Sequence, residues 1–187
     1  MTTAIDLTEH LITSEILVKG GMLKVKRDQV RLSNNHTSQR EYVVHPGAVV
    51  VVAMLPNGHV VLERQYRYPL HQVFIELPAG KIDAGESILV TGQRELLEET
   101  GYSANNWVKL GLLHPCIGYS NEVIHMYLAL DLFAGVHKRD EDELLEVFDA
   151  SVEDCLLMIE NGQITDAKTI IALFFAEKYL IKHGLDD

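Results

Sequence analysis

Polar and apolar positions alternate along the first part of this chain, then give way to solid apolar runs and finally to helical spacing. Residues 23–32, Leu-Lys-Val-Lys-Arg-Asp-Gln-Val-Arg-Leu, alternate as a strand with one wet face does. Residues 12–18 and 40–44 are also extended in character, and Gly20-Gly21 and a polar stretch at 33–38 punctuate the three. Three short strands make a small sheet that is marginal alone. They are expected to pack on the main domain, on a second subunit, or on both. At His45-Pro46-Gly47 the pattern changes. Residues 48–55 are nearly all apolar and β-branched, Pro56-Asn57-Gly58-His59 is a turn, and 60–65 is a return strand. Further strands are predicted over 73–77, 107–113, 123–130 and 143–148.

Helical spacing first emerges near Glu86 or Ser87 and ends at Gly101, a left-handed cap. At about 100° per residue, Glu95, Glu98 and Glu99 fall within an arc of roughly 100°, opposite Leu89, Val90, Leu96 and Leu97. Ser151 is placed to cap a second helix through Glu160, with Glu153 and Asp154 in its first turn. Asp166 opens a third, whose stripe is Ile170, Ile171, Leu173, Phe174, Ala176, Tyr179 and Leu180. The order of elements predicts an α+β layered sandwich with helices on a mixed sheet. Residues 1–45 form an N-terminal β-sheet region and 46–187 the main domain.

Composition narrows the function. In 187 residues, 47% hydrophobic content suffices for a core, and 16 basic against 27 acidic residues give a net charge of −11. That balance argues against nonspecific nucleic-acid or acidic-membrane partners, whose phosphates repel it. A small phosphorylated ligand remains open if a metal and local arginines offset the field. Cys116 and Cys155 have neither metal nor redox spacing. With no disulfide framework, no signal-peptide pattern in the first residues and no apolar run near the roughly 20 residues needed to span a bilayer, a cytoplasmic location is expected.

Three like charges on one face destabilise an isolated helix. Such a face is either simply solvated or gathered around a hard divalent cation, which takes carboxylate oxygens. The wider spacing decides between them. Gly80, Glu86, Arg94, Glu95, Leu96, Glu98, Glu99, Gly101 and Tyr102 stand in the pattern G-x5-E-x7-R-E-U-x-E-E-x-G-U, with Tyr102 where an aliphatic residue is usual. This resembles the Nudix box of hydrolases that cleave a nucleoside diphosphate linked to another group. The resemblance implies a Nudix-type α/β/α sandwich with a mixed sheet, beside the small N-terminal antiparallel sheet. It implies that Glu95 and Glu99 bind divalent metal, Mg²⁺ with Mn²⁺ as an alternative, that Glu98 shares or bridges, and that the Ala79 carbonyl is a further ligand. Glu86 and Arg94 look like the motif's structural pair, and Gly80 and Gly101 are expected to adopt backbone conformations closed to other residues.

Flanking segments are similar to the ADP-ribose pyrophosphatase branch of that superfamily. Gln65-Tyr66-Arg67-Tyr68-Pro69 and Glu76-Leu77-Pro78-Ala79-Gly80 match its stretches before the box, and Pro115 falls where that class carries a proline. By this likeness Arg67 contacts the phosphate or terminal-ribose side of the ligand, while Arg40 and Glu41 match positions near the adenine site. Glu141 becomes the candidate general base and Glu143 a metal ligand, or the two exchange roles, since the acidic run at 140–143 fixes no register. Glu98 completes the catalytic set. The implied substrate is a nucleoside diphosphate sugar, foremost ADP-ribose, cut to AMP and ribose 5-phosphate. The alternatives are GDP-mannose, another such sugar or a dinucleotide, and an inactive ligand-binding Nudix domain. The N-terminal strands imply a homodimer.

Overall fold

The computed structural model describes residues 5–135 and 144–185, and the chain divides into two units. The first comprises Met1–His45 together with Cys116–Glu122. Its sheet, ordered β1-β2-β3, is antiparallel throughout: β1 His10–Lys19, β2 Lys24–Arg31 and β3 Thr37–Val43. Bulges fall in β1 between Leu11 and Thr13 and between Ile16 and Val18. Every residue of β1 is exposed, including Leu11, Ile16 and Val18. Val43 donates its N–H to the Tyr119 carbonyl at 2.8 Å, and His45 N–H reaches Asn121 Oδ1 at 2.7 Å, so the excursion 116–122 is stitched to β3.

The second unit, Pro46–Pro115 with Val123–Asp187, carries two sheets. One is ordered β7-β4-β9-β8, from β7 Ala79–Lys81, β4 Ala48–Ala53, β9 Ile124–Ala134 and β8 Tyr102–Leu113. In it β4 runs parallel to β9, and the β4–β7 and β8–β9 pairs are antiparallel. The other is ordered β10-β5-β6, from β10 Leu145–Ser151, β5 His59–Arg67 and β6 Gln72–Glu76. All six residues of β4 are buried, which explains its unbroken apolar run: such a strand needs two dry faces. Val50 and Val52 join a cluster with Ala172, Leu173, Ala176 and Leu180, while Val49, Val51 and Ala53 join Val61 and Leu96 on the other face.

Those faces are covered by helices. The first, α1 Ile88–Glu95, packs on β4 and β7, and α3 Ala167–His183 packs on β4, β8 and β9, with α2 Val152–Glu160 against β10 and α3. The result is an α/β/α sandwich on a mixed sheet. Caps form where the side chains predict them. Ser87 accepts from Val90 N–H, Ser151 from Asp154 N–H, Asp166 from Thr169 N–H, and Gly101 turns left-handed at φ 77°.

Two local features differ from the sequence reading. The box helix is α only as far as Glu95; Leu96–Thr100 form a π-helical turn, a wider coil often found at functional sites. Its buried stripe also lies elsewhere. Leu89 and Val90 are exposed, whereas Thr91, Gly92, Leu96 and Glu99 are buried. Small Thr91 and Gly92 allow close approach to the sheet, and that rotation carries Glu99 inward. The glutamates therefore do not share one wet face: side-chain exposure is 12% at Glu95 and 36% at Glu98, and Glu99 as a residue is only 3% exposed.

Candidate active site

The site is built where the three-residue strand β7 lies along the box helix. Each of its residues meets one helix residue. Ala79 donates its N–H to Glu99 Oε2 at 2.9 Å. Gly80 faces Glu95 so closely that a Cβ there would fall 1.9 Å from Glu95 Oε1. Lys81 offers its carbonyl to Arg94 Nη2 at 3.1 Å. Gly80 does not lie in the left-handed region, in contrast to Gly101. Gly80 is thus required for room, not for backbone conformation, because the Glu95 carboxylate occupies the place of its side chain.

Arg94 is the electrostatic centre of the box. Its Nε and Nη2 both bond Glu86, each at 3.0 Å, in the two-pronged geometry favoured by guanidinium and carboxylate. Its Nη1 lies 2.8 Å from Glu95 Oε1 and 3.0 Å from Glu98 Oε2. One cation thereby offsets three carboxylates that would otherwise repel. The Thr91 hydroxyl adds a 2.7 Å bond to Glu86 Oε2. The Arg94 pair, helped by Thr91, lowers the Glu86 pKa to about 2, so this carboxylate is ionised throughout the neutral range. Glu86 ties the loop before α1 to the middle of the helix.

Among the described residues no three acidic, histidine or cysteine side chains converge into a ready-made metal cluster, since Arg94 draws on Glu95 and Glu98 and the Ala79 amide holds Glu99. The donor chemistry nonetheless suits a hard divalent cation. The groups around β7 are carboxylate and carbonyl oxygens, with Glu95 and Glu99 largely withdrawn from water and the Glu95 carboxylate seated in the space beside Gly80. Glu141 and Glu143, the candidate base and further ligand, lie outside the described residues.

Arg67 closes β5 with its side chain 42% exposed and clasps Glu76, Nε to Oε1 at 2.6 Å and Nη2 to Oε2 at 2.8 Å. Bonding to Glu76 raises the Arg67 pKa, with Glu63 and Glu99 adding to the effect. Glu63 sits directly opposite Glu76 in the β5–β6 register, and both are buried. Burial pushes the Glu76 carboxyl up, but Arg67 and Lys168 more than offset this and hold it below the usual carboxylate value. Sequence reading assigned no role to Glu63, Glu76, Thr91 or Lys168. A signal was present for two of them, since an acid set into an apolar strand, as in Val-Val-Leu-Glu and Phe-Ile-Glu-Leu, must find partners when buried. Pro115 stands at the end of the segment before the excursion 116–122. In the first unit, Arg40 forks onto Glu9 at 2.9 and 2.5 Å, and Glu41 accepts from Arg27 Nε at 2.7 Å.

Comparison with known proteins places this geometry in a family. The chain is 38% identical over 174 residues to the ADP-ribose pyrophosphatase of Bacillus subtilis (strain 168), covering 92% of this chain and 94% of that one. It is likewise 38% identical over 181 residues to the methanol dehydrogenase activator of Bacillus methanolicus, covering 94% and 96%. The crystal structure of an ADP compounds hydrolase superposes with a TM-score of 0.87 at 24% identity, over 97% of this chain and 100% of that one, a likeness of fold. The profile of the NUDIX domain matches residues 44–173, which include β7, the box helix and Arg67. The chain belongs to the NUDIX domain family.

Proposed function

We propose that this Nudix hydrolase cleaves nucleoside diphosphate sugars and favours ADP-ribose. Water attacks one phosphorus, the bridging P–O bond breaks, and AMP and ribose 5-phosphate leave. The observation that supports the chemistry is at β7, where the Ala79 N–H holds the Glu99 carboxylate and the Glu95 carboxylate is seated in the space that Gly80 leaves for it. The ADP-ribose assignment is supported by the Bacillus subtilis relative. In this reading the Ala79 carbonyl, Glu95, Glu99 and Glu143 would hold Mg²⁺ or Mn²⁺, with Glu98 sharing. A bound cation would supply charge neutralisation at the pyrophosphate and a more acidic water. Glu141 takes the proton of the attacking water. Arg94 keeps Glu95 and Glu98 from repelling each other, and Arg67 offers a guanidinium to a phosphate.

The exposed apolar positions of β1 support a homodimer through the N-terminal sheet. The free thiols of Cys116 and Cys155 fit a reducing compartment, for which the cytoplasm is the proposed setting. Among the described residues no helix is long and apolar enough to cross a membrane.

The test is AMP release from ADP-ribose by purified protein with Mg²⁺, against an EDTA control and a panel that includes GDP-mannose. Glu99→Gln keeps an oxygen able to accept from Ala79 but removes the charge, so kcat is expected to fall at least about 100-fold, some 2.7 kcal/mol in the barrier. Unchanged turnover in that variant removes Glu99 from the metal site. Preference for another member of the panel replaces ADP-ribose as the substrate.

A further inference from the structure

Beside the box, the first turn of α3 brings a second cation to a carboxylate that already has one. Arg67 occupies both oxygens of Glu76, whose side chain is 3% exposed. Lys168 nevertheless meets Glu76 Oε2 as well, and its ammonium is held from behind by Asp166, the helix cap, at 3.0 Å. Thr169 fixes the same turn by accepting the Leu77 N–H at 3.0 Å. A cavity of about 320 Å³ lined by Arg67, Phe74, Glu76, Asp166 and Lys168 opens beside these pairs. The two cations are not equivalent: the Lys168 side chain is 15% exposed, and that of Arg67, 42%.

A bidentate guanidinium bonds both oxygens of a carboxylate and balances its charge, so the lysine is surplus to charge balance while Arg67 stays in place. It ceases to be surplus when Arg67 leaves. A buried carboxylate stripped of its only partner is strongly destabilising, and an arginine that must serve both Glu76 and a phosphate cannot fully serve each. We propose that Lys168 is the reserve counter-ion of Glu76, a positioning residue that keeps this carboxylate compensated while Arg67 turns its guanidinium to the substrate diphosphate. The ligand side of this inference rests on the function proposed above. The exchange of counter-ions does not, and it is testable without any ligand.

The experiment is a thermal-melting cycle with Arg67→Ala, Lys168→Met and the double substitution. Either cation alone compensates Glu76, so the double substitution is expected to lower Tm by at least about 5 °C more than the sum of the singles. In a Glu76→Gln background the excess disappears. Additive losses, to within about 1 °C, overturn the proposal, as does an excess that survives Glu76→Gln. Kinetics provide a second arm should the double variant not fold. Lys168→Met is expected to raise the KM for ADP-ribose about tenfold with kcat changed less than about threefold, and Lys168→Arg to restore it. A wild-type KM in Lys168→Met overturns the proposal too. If the wild-type protein does not cleave ADP-ribose, the substrate reading fails, while the melting cycle still decides the role of Lys168.

Discussion

Gly80 illustrates how one residue type is dictated by a neighbour and not by its own backbone. The Glu95 carboxylate fills the volume where its Cβ would be, with Oε1 at 1.9 Å and Cδ at 2.0 Å. The obstacle is the end of a flexible side chain, so Gly80→Ala is expected to fold and lose no more than about 4 °C in Tm, on the order of 1 kcal/mol. The displaced carboxylate leaves that space, and kcat/KM is expected to fall about 100-fold or more. Melting curves and AMP release on the same preparation check both halves. Retained activity would mean that the placement of Glu95 is not critical. The sequence marks this glycine through the box spacing but not the reason for it, because the crowding arises only when β7 docks on the helix.

Among elements, the pre-helix loop and α1 are joined by Glu86 and Arg94. The folded carboxyl of Glu86 is depressed from 4.5 to about 2, so the unfolded chain binds more protons between these values. The stabilisation is therefore complete above about pH 4.5 and is lost as pH falls towards 2. Glu86→Gln is expected to lower Tm at neutral pH and to flatten its decline between about pH 4.5 and 2, measured by circular dichroism. An unaltered pH profile would exclude the pair as a source of acid sensitivity. Capping chemistry was readable at this scale for Ser151 and Gly101, and the helix starts near Ser87 and at Asp166 with it, since such residues act through near neighbours in sequence. So was β4, whose apolar run needs two covered faces. The π turn and β7 were not. A three-residue strand is defined by its partner, here Val49 opposite Gly80, and helix phase is set by what the helix packs upon. Lys168 was illegible for a similar reason: its significance lies in Glu76, far away in sequence.

For the whole molecule, the N-terminal sheet has an open edge whose apolar side chains face water, Leu11 at 63% exposure and Ile16 at 52%. Such an edge invites pairing with another chain. Sedimentation is expected to give the mass of two 21.0 kDa chains for the wild type and of one for Ile16→Lys/Val18→Lys. A monomeric wild type at micromolar concentration defeats the dimer. Chain order also matters to how the molecule is made. The parallel neighbour of β4 is β9, so the stretch Ala48–Ala53, apolar on both faces, is synthesised long before the strand at Ile124–Ala134 that must lie beside it. Parallel pairing between distant segments is slow to form, because the intervening loop must close first. A nascent chain thus carries a sticky, uncharged strand through much of its elongation, as does any fragment ending before β9. The strand at the centre of the mature sandwich is thus the segment most open to mispairing while the chain is being made.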